Sequence, residues 1–531
     1  VKNKKSFIVL YVVVFFIIVY YAYGRISLAR EKKISQANLV NENITTQEKE
    51  EKSSVAFNGE RSLYNLDIAL NTDNKTVKGQ EEVKFKNKYN KGLKEIVFHL
   101  YPDSYNSAET MPSIGTTVKK VSKDELGDIK INSVSVNGEN LKYTEDSQVL
   151  KFLLNKELKP NEVIDIAIDF TLKIPKGNDR LAYQNDQYSL TNWYPILSIY
   201  DEKTGTWDET PFYPVGESNY SDCSDYKVSV TVPKGIVAAT TGVKVSDKEE
   251  GSQSKLGFEA SNNRDFVLFL SKRYKLLSKE VDGIRVNSFY VSEETTAKRM
   301  LDLACESLSF YNKTFGKYPY PEYDVVETYL QGGAMEYPTV TQMGPYNYLK
   351  PEYKENSLTF LDEAVVHETG HQWWFSTVGN NEFREPVLDE SFTAYSTALF
   401  FENKFGEYTP MGVKGAFLTR SIKGDGPIYR PTDKFDWQNF SKVVYTLGPI
   451  ALEDLRQKAG QEKFIDIFKT YYARYKFKNA TFDGFLEVVK EKCGSETSDY
   501  VRNAFTSSNY SMDKMVLSPD EIKKVQDKSK R

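Results

Sequence analysis

The spacing of apolar residues changes near Arg273, and that change divides the chain into two kinds of structure. Between about Asn58 and Lys272 apolar and polar residues alternate, as in VKFKNKY, VIDIAIDFTLKI and YKVSVTVP. Successive side chains of a strand point to opposite faces, so this alternation predicts strands with one buried face. Asn137-Gly138, Pro160-Asn161 and Pro233-Lys234-Gly235 fall between such runs and supply turn chemistry. After one more strand-like stretch, IRVNSFYV, the residues Leu301, Ala304, Leu308, Tyr311 and Phe315 recur at spacings of three and four, the stripe of an amphipathic helix. Ser292 is its expected cap, and Glu293 and Glu294 suit the positive end of its dipole. Further helices are expected around 358–376, 387–405, 442–459, 461–476, 481–492 and 495–506. The expectation is an α+β multidomain chain. An all-β unit, saddle- or sandwich-like, occupies 58–272, a mostly helical unit 273–510, and a charged tail 511–531.

At 531 residues the chain exceeds what one core supports, and 36 Tyr and 31 Phe supply apolar surface for more than one. A net charge of −4 leaves no electrostatic footprint for nucleic acid. Cys223, Cys305 and Cys493 lie far apart with no CxxC pair, which argues against a disulfide framework and a thiolate zinc site. From Phe7 to Tyr23 there are 17 residues without a charge, preceded by Lys2, Lys4 and Lys5. Such a run is about long enough to cross a bilayer as a helix. It exceeds the apolar stretch of a cleaved leader, and no convincing small-x-small cleavage site follows it. Residues 1–33 are therefore expected to form one transmembrane helix with its flanks, and polar 34–57 a flexible stalk. The folded bulk is then expected at the cell membrane, outside the cytoplasm.

Histidine occurs only at His99, His367 and His371. Two of the three fall in HETGH, within FLDEAVVHETGHQWWFSTVG. On a helix, residues four apart differ by about 40° around the axis, so both imidazoles project from one face. They offer two nitrogens to one zinc ion. Glu368 lies one position further round, able to reach a water beside the metal without ligating it. A catalytic zinc takes three protein ligands and keeps one position open. The candidate third is Glu390, in EPVLDESFTAY, with 18 residues separating it from His371. His99, in an apolar β stretch, is expected to be structural.

HETGHQWW, the 18-residue gap and LDESFTAY together resemble the gluzincin family of aminopeptidase N and leukotriene hydrolase. GGAMEYPTV, from Gly332 to Val340, is similar to that family's Gly-x-Met-Glu-Asn loop, and VVYTLGP to the stretch bearing its tyrosine, here Tyr445. In the β half, EIVFHLYPDSY, NWYPILSIYD and FYPVGESNYSDCSDYKVSVTVP resemble the family's N-terminal domain, above all in its bacterial membrane-anchored branch. The resemblance implies a thermolysin-like catalytic unit, one zinc ion per chain and peptide substrates. It implies hydrolysis at the free N-terminus of peptides. Glu368 would be the base, and Tyr445 a hydrogen-bond donor to the tetrahedral oxyanion. Glu336 would bind the α-amine, and the backbone of Gly332, Gly333, Ala334 and Met335 would lie along the substrate as an edge strand. Two departures bear on the amine pocket. Tyr337 stands where the family has Asn, and no Gln-rich segment is found in the β half, leaving Asn192 or Gln184 as candidates for a second amine contact. The stretch after Glu390 has room for the catalytic unit but not for the family's large helical C-terminal domain, which implies a more open cleft. An endopeptidase, a peptidase of narrow specificity and an inactive binding protein are the alternatives. The intact ligand set, Glu368 and the Gly-rich loop argue against the last.

Overall fold

The computed structural model describes residues 55–112, 121–348, 358–511 and 513–529. The expected transmembrane segment lies outside them, as does the stalk up to residue 54; at its end, Val55 is already buried. Among the described residues no helix is long and apolar enough to cross a membrane.

The alternating half forms sheets, as expected. In spatial order its largest sheet runs Val243–Glu250, Gln253–Asn263, Ser224–Pro233, Leu63–Asn71, Thr76–Lys86, Val163–Lys173, Asp128–Val136 and Glu139–Asn140. Leu63–Asn71 pairs in parallel with Ser224–Pro233, while its other neighbour is antiparallel. Alternate residues on these strands, such as Leu66 and Ile68, Val228 and Val230, Ile166 and Ile168, face one core shared with two four-stranded sheets. Asn137 (φ 51°) and Gly138 (φ 82°) turn the chain between Asp128–Val136 and Glu139–Asn140. Both φ are positive, the conformation in which the Asn-Gly pair is least strained.

The second half opens with a five-stranded sheet in the order Lys275–Val281, Ile284–Tyr290, Glu322–Glu327, Val340–Met343, Ala334–Tyr337. The helix Glu294–Thr314 connects Ile284–Tyr290 to Glu322–Glu327, and further helices follow the sheet, among them Phe360–Gly370 and Phe392–Phe405, packing around an apolar core. Ser292 does not cap the first of these helices; Glu293 occupies that position without a side-chain cap. The buried carboxylate of Glu327 recruits Ser292 instead. It accepts from the amides of Val291 (2.6 Å), Ser292 (2.9 Å) and Tyr346 (2.9 Å), and from the Ser292 hydroxyl (2.5 Å). A buried carboxylate without donors costs more than an unsatisfied helix end at the surface. In the tail, Pro519–Ser529 is helical and buries Val525.

The two halves meet along a further apolar cluster, in which Ala239, Val267 and Phe269 pack with Met335, Tyr337 and Val340. Arg264 of the β half adds a polar rivet. It donates to the Phe375 carbonyl (2.8 Å), the Lys478 carbonyl (2.6 Å) and Asn479 Oδ1 (2.6 Å). Phe375 has φ 142°, a backbone region that favours glycine, and its carbonyl is held there by Arg264.

His99 is fully buried and stacks on Tyr101 with ring centroids 4.9 Å apart. Neither ring nitrogen has a hydrogen-bond partner among the described residues. Burial pushes its pKa down to about 4, against the upward pull of Asp208 and Glu209. Its unfolded value is about 6.5, so between pH 6.5 and 4 the unfolded chain binds the extra proton and stability falls as pH falls. Urea unfolding should therefore show stability lost by up to about 3 kcal/mol over that window. His99→Phe should flatten this part of the profile while leaving stability at pH 8 within about 1.5 kcal/mol.

Candidate metal centre

The helix Phe360–Gly370 starts at a firm N-terminus. Thr359 and Asp362 form a reciprocal capping box, and Arg299 grips the buried Asp362 carboxylate through two hydrogen bonds of 2.6 Å. At its other end His371 keeps helical dihedrals (φ −62°, ψ −15°), so its imidazole stays on the face of His367. The two Nε2 atoms are 3.0 Å apart. Glu390 Oε2 lies 3.2 Å from Nε2 of His367 and 3.5 Å from that of His371. Tetrahedral donors about 2.0–2.2 Å from one zinc ion lie about 3.3–3.5 Å from each other, close to these separations. Two imidazole nitrogens and a carboxylate also suit zinc chemically.

Glu390 reaches this position from a π-helical turn, Val387–Ser391, that precedes the helix Phe392–Phe405. Tyr445 sits on a second π-turn, Val443–Leu447. The extra residue in such a turn re-aims its side chains, and these turns recur at functional sites. The Tyr445 hydroxyl donates to Glu390 Oε1 at 2.5 Å. Ser391 Oγ donates to the Val444 carbonyl at 2.6 Å and locks the two turns together. Gly448 makes that approach possible: a Cβ there would stand 2.1 Å from Ser391 Oγ.

Glu336 and Glu368 come together from the sheet and from the helix Phe360–Gly370. Glu336 lies on Ala334–Tyr337, an edge strand of the sheet, which among the described residues pairs only with Val340–Met343. Its Oε1 and Glu368 Oε2 are buried without partners. Burial, then the charge of Glu390, pushes Glu368 up to about 8, although His371 pulls it down. Glu336 is raised well above the carboxylate range by burial, with Glu368 and Glu217 adding to the shift. Glu390 goes the other way, because hydrogen bonds from the two imidazoles outweigh its burial.

Of the residues expected to border a substrate, Ala334, Met335 and Glu336 belong to the edge strand. Gly332 (φ 105°) and Gly333 (φ 144°) do not; they form the turn that leads into it. Asn192 donates to Asn219 Oδ1 (3.1 Å), and Gln184 lies on the outer strand of a four-stranded sheet in the β half. Sequence reasoning missed Asp389, Glu382 and Glu217. Asp389 is buried 2.6 Å from His371 Nδ1. Glu382 accepts from the Asn219 amide at 2.8 Å. Glu217, also buried, is clasped by both terminal nitrogens of Arg180 (2.5 and 2.6 Å). The only signal of Asp389 was its place beside Glu390; the other two had none, since their partners lie far away in sequence.

Residues 299–506 match the peptidase family M1 domain. That match lies within the helical half of the chain. It is 22% identical over 486 residues to aminopeptidase 2 of Candida albicans, covering 86% of this chain and 48% of that protein. To the human endoplasmic reticulum aminopeptidase 2 it is 24% identical over 384 residues, 66% of this chain and 38% of the relative. The chain thus spans about half the length of the first of these relatives and less of the second. In fold it is similar to the M1 zinc metallopeptidase from Deinococcus radiodurans, with a TM-score of 0.59 at 17% identity, covering 87% of this chain and 96% of that one. A β-rich N-terminal part followed by a helical part is the shared architecture.

The matched M1 segment contains both π-turns, so their packing is open to a direct test. Gly448→Ala should force Ser391 and Tyr445 away from the Glu390 turn. Overpacking of this kind costs about 1–3 kcal/mol. The melting temperature and the zinc bound per chain should both fall, whereas Gly177→Ala, in open space and without a positive φ, should leave both unchanged.

Proposed function

We propose that this chain is a zinc aminopeptidase, hydrolysing the first peptide bond of substrates with a free N-terminus. The observation that carries this is the meeting of three metal donors with two further carboxyls, Glu336 and Glu368, each with one buried oxygen that has no hydrogen-bond partner among the described residues. His367, His371 and Glu390 would hold the ion. Zinc, when bound, supplies Lewis acidity toward water and the scissile carbonyl.

Glu368 takes a proton from the attacking water and returns it to the leaving amine. Its unpaired Oε2 supports that part. The Tyr445 hydroxyl, next to Glu390, donates a hydrogen bond to the oxyanion as the carbonyl becomes tetrahedral. Ala334 and Met335 offer edge-strand backbone to an extended peptide. Glu336 takes the α-ammonium. Several like charges are crowded here with Arg180 as a neighbouring cation, and an incoming ammonium relieves their repulsion. An acetylated terminus brings no such charge.

A panel of aminoacyl fluorogenic substrates, free and N-acetylated, with and without chelator, tests this reading. Free-amine substrates should be cleaved, blocked ones spared, and chelation should stop turnover. Glu368→Gln should keep its zinc and lose rate by a factor on the order of 10²–10⁴. Equal cleavage of blocked substrates would remove Glu336 from the amine site and leave an endopeptidase.

The same reading puts the enzyme at the cell membrane, with residues 1–33 as anchor and the bulk outside the cytoplasm. The uncharged run from Phe7 to Tyr23 supports it. Protease added to intact cells should release the folded portion into the medium; a protein that stays protected contradicts this orientation.

A further inference from the structure

Asp389 stands against the ligand set, and the reaction steps above give it no part. Its Oδ1 approaches Nδ1 of His371 to 2.6 Å. That is nearer than the Trp374 carbonyl (3.1 Å) and Thr393 Oγ1 (3.2 Å), which face the same nitrogen. Nδ1 is the ring atom opposite the one directed at His367 and Glu390. Asp389 and His371 are both fully buried, and neither Asp389 oxygen has an aligned hydrogen bond. The approach is therefore one of charge to ring. The next carboxyl, Glu382, faces Asp389 as a hydrogen-bonding neighbour that favours its charged form, and one Glu382 oxygen accepts from the Asn219 amide.

Burying a carboxylate with so few donors is costly, and a fold tolerates it where it serves a neighbouring group. A neutral imidazole carries one proton, and the ring nitrogen without it presents the lone pair. An anion at Nδ1 favours the proton there and leaves Nε2 free to bind a metal, while raising the basicity of the ring. We propose that Asp389 is a positioning residue that holds His371 in the Nδ1–H form with Nε2 turned to the metal. The Trp374 carbonyl and Thr393 hydroxyl set the plane of the ring, and Asp389, the nearest of the three to Nδ1, holds the proton there. This rests on the zinc reading above and assigns a function to a residue that touches neither substrate nor metal.

The test uses the full chain freed of metal, titrated with zinc against a chromophoric chelator and separately with cobalt(II) to read its visible band. Asp389→Asn keeps the shape and removes the charge. Zinc affinity should fall 10- to 100-fold and the cobalt band should shift. The melting temperature of the metal-free protein should hold or rise, because a buried charge has gone. Thr393→Val should change zinc affinity less than three-fold. An Asp389→Asn protein that binds zinc as tightly as the wild type, with an unshifted cobalt band, overturns the proposal. So does one whose metal-free form melts well below wild type, which would make Asp389 a folding residue. A wild-type chain that takes up no zinc would instead defeat the zinc reading beneath it. Glu390→Ala, which should lose zinc whichever way Asp389 behaves, separates the two failures.

Discussion

Carboxylates crowd into one buried cleft in this molecule, and their mutual repulsion is the constraint on which the rest depends. Glu336, Glu368, Asp389 and Glu390 converge on two imidazoles, of which burial lowers the pKa of His367 while the carboxyls raise that of His371 against its burial, too little positive charge for four carboxyls. In a low-dielectric interior such charges must be met by cations or by protons. The raised pKa values of Glu336 and Glu368 record the second solution. A divalent metal and a substrate ammonium are the first. The chemistry proposed for the cleft is thus the relief of an electrostatic imbalance that the fold itself creates.

Holding such an arrangement together requires rigid neighbours, and these come from every direction. The capping box at Thr359 and the Arg299–Asp362 pair fix one end of the ligand helix. Two π-turns, tied by Ser391 and made compact by Gly448, fix Glu390 and Tyr445. The β half contributes as well. Arg264 pins the backbone just beyond His371, and the loop with Glu217 and Asn219 reaches Arg180 on one side and Glu382 on the other. Gly216 in that loop lies so close to Phe440 that a Cβ would stand 2.7 Å from its ring. The apolar cluster between the halves buries Met335 and Tyr337 of the edge strand. The β half therefore acts as a wall of the cleft.

Much of this was legible in the chain. The period of two gave the sheets, the three-four spacing gave the helices, and HETGH with Glu390 gave a donor set whose atoms lie 3.0–3.5 Å apart. These signals are local or rest on a fixed spacing, so they survive without knowledge of packing. Ser292 was misread because a local cap rule competes with long-range partners, and Glu327, 35 residues on, won. The strand was expected to begin at Gly332, but two glycines with positive φ delay it to Ala334.

By itself the sequence determined which residues bring chemistry to the site, because residue type and helical spacing dictate what two histidines and a glutamate can do together. It also determined that a β part precedes a helical one, since side-chain periodicity follows from backbone geometry. Tertiary structure alone decided which carboxyls crowd the donors. Glu217, Glu382 and Asp389 look like ordinary surface acids in the sequence, and only the packing of the two halves makes them buried neighbours. It also decided where Tyr445 points, because a π-turn shifts a side chain by an amount that no residue pattern announces. The physical reason is the same in both cases: burial and orientation arise from contacts between distant segments, and a linear pattern records only the near ones.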